Sequence, residues 1–390
     1  MSNTKNNTLK LNENVLNVMY LCACALHGDI PDITGMNLTK AFAISKNHSI
    51  ASVVSYALEN AEVSETDFAV KQKFNEIKNK AIRKNILFDA ERNKLFQFMD
   101  ENKIAHMALK GSVLKNIYPK PGMRQMADND ILFDENFRKD IRSYMKQNGY
   151  AVKSYGQVDH DVYEKKPIYN FEMHTSLFNS TSDVNLEKYY MNIWEKLILN
   201  SESRFEYHFT NEDFYIYLIA HAYKHYIGGG TGLRTICDCY VYLWKLSDKL
   251  DKDYISKELK KLGAFEFENL LSSLAFKLLS DCNIKSISEL TSDELEMLLY
   301  MSNSGTYGKY ENKVNHIIDK MSDNQKLSNK QKLQYILKRA FPPMEWYKNY
   351  CSFCFRHKWA VPFYCVFRFV RGLFKKRHKI KTELNVIKNK

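Results

Sequence analysis

Apolar positions recur at steps of three and four residues through the first part of the chain, and this spacing predicts helices. One helical pattern runs through residues 10–62, where "NENVLNVMYLCACAL" is apolar at helical spacing. Another covers residues 67–103, as one long amphipathic helix or as two. We therefore expect an N-terminal helical region over residues 1–103.

The pattern changes at residue 104 to short apolar runs, which are typical of strands. Five segments have this character: "IAHMAL", "DNDILFD", "YAVKS", "DVYEKK" and "IYNFEMHTSL". A helix is predicted to begin at Gly111 and Ser112, and another to end at Gly149, since glycine suits the end of a helix. Residues 104–183 are therefore expected to form a compact unit built around a small sheet.

Helical spacing returns after residue 184 and predicts a helical region over residues 184–324. Gly228–Gly230 divides two of its helices. A basic and aromatic helical segment follows over residues 325–390. The predicted fold class is α+β, with a small mixed sheet flanked by N- and C-terminal helical regions.

The formal net charge is +12, and much of the excess lies after residue 325. This charge suits an anionic partner: a nucleotide, a nucleic acid or a membrane surface. The C-terminal aromatic residues are interleaved with arginine and lysine, a pattern that also fits an anionic membrane surface or single-stranded nucleic acid. We favour helix packing for the aromatic residues, and a solvated or weakly membrane-attracted segment for the basic ones.

No transmembrane segment is predicted, because the best candidate, "WAVPFYCVFRFVRGLF", is short and contains Arg368 and Arg371. The polar N-terminus does not resemble a signal peptide, so we expect a cytoplasmic protein with reduced thiols among its eight cysteines. Cys351 and Cys354 form a lone C-x-x-C, and a zinc site would need a second pair of ligands.

Two aspartates in "MRQMADNDILFD" carry the first chemical signal. Asp128 and Asp130 are two positions apart at the start of a predicted strand, so their side chains point to the same face. Carboxylates so close repel each other unless a cation lies between them. Mg²⁺ prefers such ligands and shares its remaining positions with water and phosphate. Glu172, inside a later apolar strand, is the best candidate for a third carboxylate, and the set predicts a two-metal site.

A phosphate seat is predicted upstream of this pair. Gly111 and Ser112 lie where a strand ends and a helix begins, and a helix N-terminus attracts anions. Glycine permits close approach, and the serine adds a hydroxyl donor. Lys110 and Arg124 are predicted to offset the charge of the phosphates. The sequence contains no P-loop motif.

Other polar residues keep two interpretations each. His174 shares a strand face with Glu172 and is either a substrate contact or a hydrogen-bonded structural histidine. His221 and His225 lie on one helix face, where packing or substrate contact is favoured over zinc. Arg234 follows the glycine run and either contacts a phosphate or belongs to a plain helix–loop–helix turn.

These motifs together resemble a known family. "LKGSVLKNIYPKPGMRQMADNDILF" is similar to the signature of the uncharacterised nucleotidyltransferase family, which belongs to the polymerase-β-type superfamily. "FEMHTSLF" and "HAYKHYIGGGTGLRTICDCYVYL" resemble further motifs of that family. The resemblance extends from about residue 15 to residue 375.

The resemblance implies a nucleotidyltransferase catalytic core over residues 104–183. Asp128 and Asp130 match the metal-binding pair, and Glu172 matches the third carboxylate. Gly111 and Ser112 match the phosphate turn. Two departures are Asn129 where an aliphatic residue is usual, and Ala127 where glycine is common. Asn129 is expected to face away from the metals.

The expected function is Mg²⁺-dependent transfer of NMP from an NTP to an acceptor, with release of pyrophosphate and two ions taking part. The acceptor is left open among a small molecule, a sugar, a peptide and an RNA. Two alternatives stay open. One is a catalytically silent module that binds nucleotide or nucleic acid, and the other is a toxin-like enzyme that modifies tRNA.

Overall fold

The structure is a computed structural model that describes residues 11–156, 160–179, 184–306, 308–322, 328–344, 346–347, 351–375 and 377–389. Helices flank a small mixed sheet, as the predicted α+β fold class requires. The helices before the sheet are α1 (Glu13–His27), α2 (Leu38–Asn47), α3 (Ala51–Ala57) and α4 (Glu65–Glu101).

Helix α4 is one continuous helix of 37 residues, so the pattern over residues 67–103 belongs to one element rather than two. Ser64 begins it, since its side chain accepts a hydrogen bond from the backbone N–H of Asp67. Its buried side is marked by apolar residues at intervals of seven: Phe74, Ala81, Phe88 and Leu95. This narrow stripe lets the helix run from the N-terminal helices to the sheet.

Within the described residues, five strands form the main sheet: β1 (His106–Ala108), β2 (Asn129–Phe133), β3 (Ala151–Ser154), β4 (His160–Lys165) and β5 (Tyr169–His174). Four of them lie inside runs predicted from the sequence, and β4 begins one residue before its predicted run "DVYEKK". Their spatial order is β1-β2-β5-β4-β3, and only β2 and β5 are parallel. Helices α5 (Gly111–Leu114) and α6 (Arg138–Gln147) connect the first three strands along the chain.

The chain after the sheet is mainly helical. It contains α7 (Val184–Tyr190), a small hairpin of β6 (Ile198–Leu199) and β7 (Tyr207–His208), α8 (Asn211–Gly228), α9 (Arg234–Leu246), α10 (Lys252–Lys261), α11 (Phe265–Leu279) and α12 (Ser292–Ser304). The last helices are α13 (Tyr310–Ser322), α14 (Asn329–Ala340), α15 (Ser352–Arg356), α16 (Val361–Lys375) and α17 (Arg377–Asn389).

The largest apolar core runs across the N-terminal helices, one side of the sheet and helices α8 to α12. Phe74, Leu132, Tyr217 and Leu271 all belong to it. A smaller core packs α4 and α6 against the other side of the sheet. The predicted boundaries at residues 103, 183 and 324 stay predictions, and the main core crosses the first two.

The cysteines differ in part from the expectation of reduced thiols. Cys24 in α1 and Cys282, just after α11, form a disulfide, because the two helices pack together and bring the Cα atoms within 4.9 Å. Cys351 and Cys354 contact each other as thiols. In the part of the chain that the structure describes, no second ligand pair joins them to make a metal site.

Most of the C-terminal aromatic residues do not pack against other helices, contrary to the expectation from the sequence. Tyr347 is buried, but Trp359, Phe363, Phe367 and Phe369 are exposed, so helix packing does not account for them. Tyr350 lies outside the described residues. Over the described ranges, no helix is both long and apolar enough to cross a bilayer.

Candidate active site

The register of the two parallel strands brings the predicted acids together. Asp130 on β2 lies directly opposite Glu172 on β5, and Leu132 lies opposite His174. Side chains at paired positions on neighbouring strands project from the same face of a sheet. Asp128 comes two residues before Asp130 and therefore lies on that face as well. The three carboxylates share one side of the sheet, at the start of β2.

Lys110 and His174 hold the buried Asp130 carboxylate. Lys110 Nζ donates to Asp130 Oδ1 over 2.7 Å, and His174 Nε2 lies 2.8 Å from the same oxygen. Burial and the nearby Lys110 ammonium lower the pKa of His174 to about 4. The ring is therefore neutral near neutral pH, and its Nε2–H donates to Asp130.

The three acids differ in their tendency to ionise. Burial raises the pKa of Asp130, but Lys110 and the hydrogen bond from His174 outweigh burial and hold it well below its usual range. Burial and the Asp130 charge raise the pKa of Asp128 to about 6. Burial, Asp130 and Asp128 raise the pKa of Glu172 to about 7. Burial and the charge of Asp130 thus disfavour ionisation of the other two carboxyl groups.

Two histidines extend this set of ligands. His160 on β4 lies opposite His174 in the antiparallel pairing of β4 and β5. Glu172 Oε2 is 3.8 Å from His174 Nε2 and 4.0 Å from His160 Nε2. One donor atom from each of these three residues lies within 4.8 Å of the others, close enough to surround a single ion. The sequence did not single out His160, because the pairing of β4 with β5 creates this contact.

The turn that carries Gly111 and Ser112 is tightly packed. Lys110 has a positive φ of 46°, and a Cβ on Gly111 would lie 2.8 Å from Met126 Sδ. The Ser112 N–H donates to the Leu109 carbonyl inside the turn, so this amide is already engaged. The buried Ser112 hydroxyl has no hydrogen-bond partner among the described residues. The close approach of Met126 gives a structural reason for glycine at position 111.

Helix α4 braces the segment that leads into β2. Lys84 Nζ donates to the Ala127 carbonyl over 3.0 Å, and Asn85 Nδ2 donates to the Arg124 carbonyl. Asn129 is fully buried and donates to the Phe88 carbonyl. It therefore faces α4 and lies away from the three acids, as expected for its position between the two aspartates.

Arg124 has a partner that its place beside the aspartates did not indicate. Its Nε donates to Asp238 Oδ1 over 2.7 Å, and the Tyr118 hydroxyl donates to the same oxygen. Both Arg124 and Asp238 are buried. Arg124 also lines the cleft described next, so its guanidinium links α9 to the site.

A cleft of about 290 Å³ lies between the acidic face of the sheet and helices α8 and α9. Lys110, Asp128, Asp130 and Glu172 line one side. Tyr217, His221, His225, Thr231 and Arg234 are among the residues that line the other. The cleft therefore brings a carboxylate cluster face to face with imidazole, hydroxyl and guanidinium groups.

The two cleft histidines contact each other, with 3.2 Å between His221 Nε2 and His225 Nε2. Burial and the nearby Lys110 keep the pKa of His221 well below its ordinary value. Burial and Lys224 lower the pKa of His225 to about 4. Both rings are therefore neutral near neutral pH and offer hydrogen bonds without charge. Their spacing of four residues predicted the shared face, but only the tertiary structure brings that face to the acids.

The glycine run before α9 packs against the end of α12. A Cβ on Gly230 would lie 2.1 Å from Ser304 Oγ, and one on Gly232 would lie 2.8 Å from His48 Nδ1. His48 also accepts a hydrogen bond from the Leu233 N–H. These contacts make the turn a packed junction that fixes the start of α9 and hence the position of Arg234.

Fold and cleft together define an α+β protein with a carboxylate cluster opposite a polar helical wall. The sequence profile of the family described as uncharacterised nucleotidyltransferase matches residues 35–280. The chain belongs to this nucleotidyltransferase family, since the match covers well over half of its length. No curated protein and no solved structure matches the chain.

Proposed function

We propose that this protein transfers a nucleoside monophosphate from an NTP to an acceptor and releases pyrophosphate, with Mg²⁺ as the metal. The observation that carries the proposal is the pairing of Asp130 with Glu172 on parallel strands, with Asp128 on the same face and at the floor of a cleft. Family membership supports the transferase class.

The acidic cluster fits divalent cations. Lys110 donates a hydrogen bond to Asp130, whereas burial and the neighbouring carboxylate charge raise the pKa values of Asp128 and Glu172. Oxygen ligands of this kind suit Mg²⁺, and two ions are expected by analogy with other phosphoryl-transfer sites. Bound there, the ions supply charge neutralisation for the triphosphate and the leaving pyrophosphate.

The residues that line the cleft have separate proposed roles in binding the phosphates and the acceptor. Gly111 and Ser112 seat the β- and γ-phosphates, and the position of Gly111 in the wall of the cleft supports this role. Lys110 offsets phosphate charge directly. Arg124 contributes through its cleft-lining guanidinium while Asp238 holds it in place. Arg234 and the neutral His221–His225 pair face the acids and suit contact with the acceptor.

The transfer forms one bond at the α-phosphorus and breaks another. An acceptor hydroxyl, amine or phosphate oxygen attacks the α-phosphorus, and the bond from that phosphorus to the bridging oxygen breaks. Pyrophosphate leaves with the bonding electrons. Glu172 takes the acceptor proton where there is one. His174 keeps Asp130 oriented through its hydrogen bond.

The experiment is an incubation of protein, Mg²⁺ and each α-labelled NTP with cell extract. We expect label in an acceptor, and metal-dependent pyrophosphate release that Asp128→Ala and Asp130→Ala abolish. Asp140→Ala, which changes an exposed acid in α6, is the matched control and keeps full activity. Absence of pyrophosphate release from the wild type with every NTP would overturn the proposal.

The same experiment separates the alternatives. Label in the tRNA fraction, with growth arrest that depends on the two aspartates, would identify a toxin-like enzyme. Binding of NTP without turnover, equal in wild type and the aspartate variants, would identify a catalytically silent module.

A further inference from the structure

Helix α16 has one packed side. Tyr364 and Cys365 lie on it, and the Tyr347 hydroxyl contacts Cys365 Sγ at 3.0 Å. One turn further on, the guanidinium of Arg368 lies 4.2 Å from the centre of the Trp346 ring. The helix is thus fixed to the short segment before it through one narrow side.

The opposite side of α16 is apolar and exposed. Phe363, Val366, Phe367, Val370 and Phe374 follow one another at steps of one, three or four residues, so they form a single stripe. Phe363 is 72% exposed and Phe374 is 79% exposed. Trp359, just before the helix, is 68% exposed. A continuous apolar surface of this kind marks an interaction site, because isolated apolar residues do not align in this way.

The charge around the stripe has one sign. Residues 346–382 contain ten lysine and arginine residues and no aspartate or glutamate. Arg356, Lys358, Arg371 and Arg377 are exposed near the stripe. The next acid along the chain, Glu383, is already paired with Arg339. The segment therefore offers an apolar face with a positive border.

We propose that the exposed stripe of α16 and its basic border bind the surface of an anionic lipid bilayer. Phenylalanine, tryptophan and valine on one side, with lysine and arginine beside them, match the chemistry of a helix that lies in the bilayer interface. The apolar side chains enter the boundary between headgroups and acyl chains, and the cations contact the anionic headgroups.

Other occupants fit less well. A helix of 15 residues is about 22 Å long, which is shorter than the roughly 30 Å apolar layer of a bilayer, so α16 lies on the surface. Two copies of the chain joined through this face would bring their basic borders together at an energetic cost. Single-stranded nucleic acid stacks its bases on aromatic rings, and the valines of the stripe offer no such surface.

The experiment measures sedimentation of the full-length protein with two kinds of vesicle, phosphatidylcholine alone and phosphatidylcholine mixed with phosphatidylserine. We expect binding to the anionic vesicles that weakens as salt is added. The triple variant Phe363→Ser, Phe367→Ser, Phe374→Ser is expected to lower the partition coefficient at least about a hundredfold. Arg371→Glu is expected to lower it several-fold, in a way that depends on salt.

The matched control is the triple variant Phe68→Ser, Ile86→Ser, Ile284→Ser, whose side chains are also exposed but lie outside this segment. It is expected to bind vesicles as the wild type does. Circular dichroism verifies that both triple variants fold. Equal vesicle binding by the wild type and the α16 variant would overturn the proposal. A concentration-dependent dimer that only the α16 variant abolishes, without vesicle binding, would overturn it in favour of self-association.

Discussion

The guanidinium Nε of Arg124 lies 2.7 Å from Oδ1 of Asp238, although the two residues are 114 positions apart in the sequence. Burial disfavours the charged guanidinium, but Asp238 outweighs burial and raises the pKa of Arg124. The pair ties the segment that enters β2 to helix α9. The pair therefore fixes the position of the acids relative to the helical wall of the cleft.

Removal of one partner from this pair is expected to destabilise the protein. Asp238→Ala leaves the buried Arg124 charge and the Tyr118 hydroxyl without their shared acceptor oxygen, and we expect a loss of about 3–5 kcal/mol in the free energy of unfolding. Urea denaturation measures this loss. Glu164→Ala breaks the exposed pair with Lys153 and is expected to change stability by less than about 1 kcal/mol. Equal effects of the two substitutions would show that the buried pair contributes no more to the free energy of unfolding than the exposed pair does.

The glycine run gives a matched pair of substitutions. Gly230→Ala places a Cβ 2.1 Å from Ser304 Oγ at a φ of 106°, and should cost about 2–5 kcal/mol through overlap and backbone strain. Gly228→Ala meets no atom within 4 Å and should be neutral or slightly stabilising. Thermal unfolding compares the two. A tolerated Gly230→Ala would contradict the packed junction between α12 and the start of α9.

The raised pKa of Glu172 predicts how stability depends on pH without metal. Because the folded state binds this proton more tightly than the unfolded state, the free energy of unfolding falls as pH rises from 4.5 to about 7. Glu172→Gln removes that penalty. In EDTA above about pH 7, the variant should be more stable than the wild type by on the order of 2 kcal/mol.

Urea denaturation at several pH values measures this effect, with Glu164→Gln as the control at an exposed position on β4. Added Mg²⁺ should stabilise the wild type above pH 7 and have little effect on Glu172→Gln, because the variant lacks one of the proposed ligands. The prediction fails if Glu172→Gln is the less stable protein in EDTA, or if both proteins share the same pH dependence.

The imidazoles beside Glu172 predict that the site also binds transition metals such as Zn²⁺. His160 Nε2 offers a nitrogen donor 4.0 Å from Glu172 Oε2, and His174 adds a second where its Nε2 gives up the proton that it shares with Asp130; nitrogen donors suit Zn²⁺ and other transition metals more than Mg²⁺. His160→Gln should weaken Zn²⁺ binding at least about tenfold and leave Mg²⁺ binding nearly unchanged. Titration calorimetry measures both affinities. His208→Gln, at an exposed histidine on β7, is the control. Unchanged Zn²⁺ affinity in His160→Gln would exclude this histidine as a ligand.

Local patterns in the sequence were sufficient to predict many of the helices and strands. The spacing of apolar residues predicted α4, and the short apolar runs predicted β1 to β5. The two-residue period of a strand predicted that Asp128 and Asp130 share a face. It also predicted that Asn129 faces the other way, where the structure buries it against α4. These features depend on neighbours along the chain, and backbone geometry fixes them.

The partners across the cleft depend on the tertiary structure. The parallel register of β2 and β5 decides that Glu172 lies opposite Asp130, and the pairing of β4 with β5 adds His160. The packing of α9 places Asp238 within hydrogen-bond distance of Arg124. Which side of α16 is exposed is decided by the packing of its other side. Sequence spacing carries no information on such contacts, because residues far apart in the chain meet only after the helices and strands have packed.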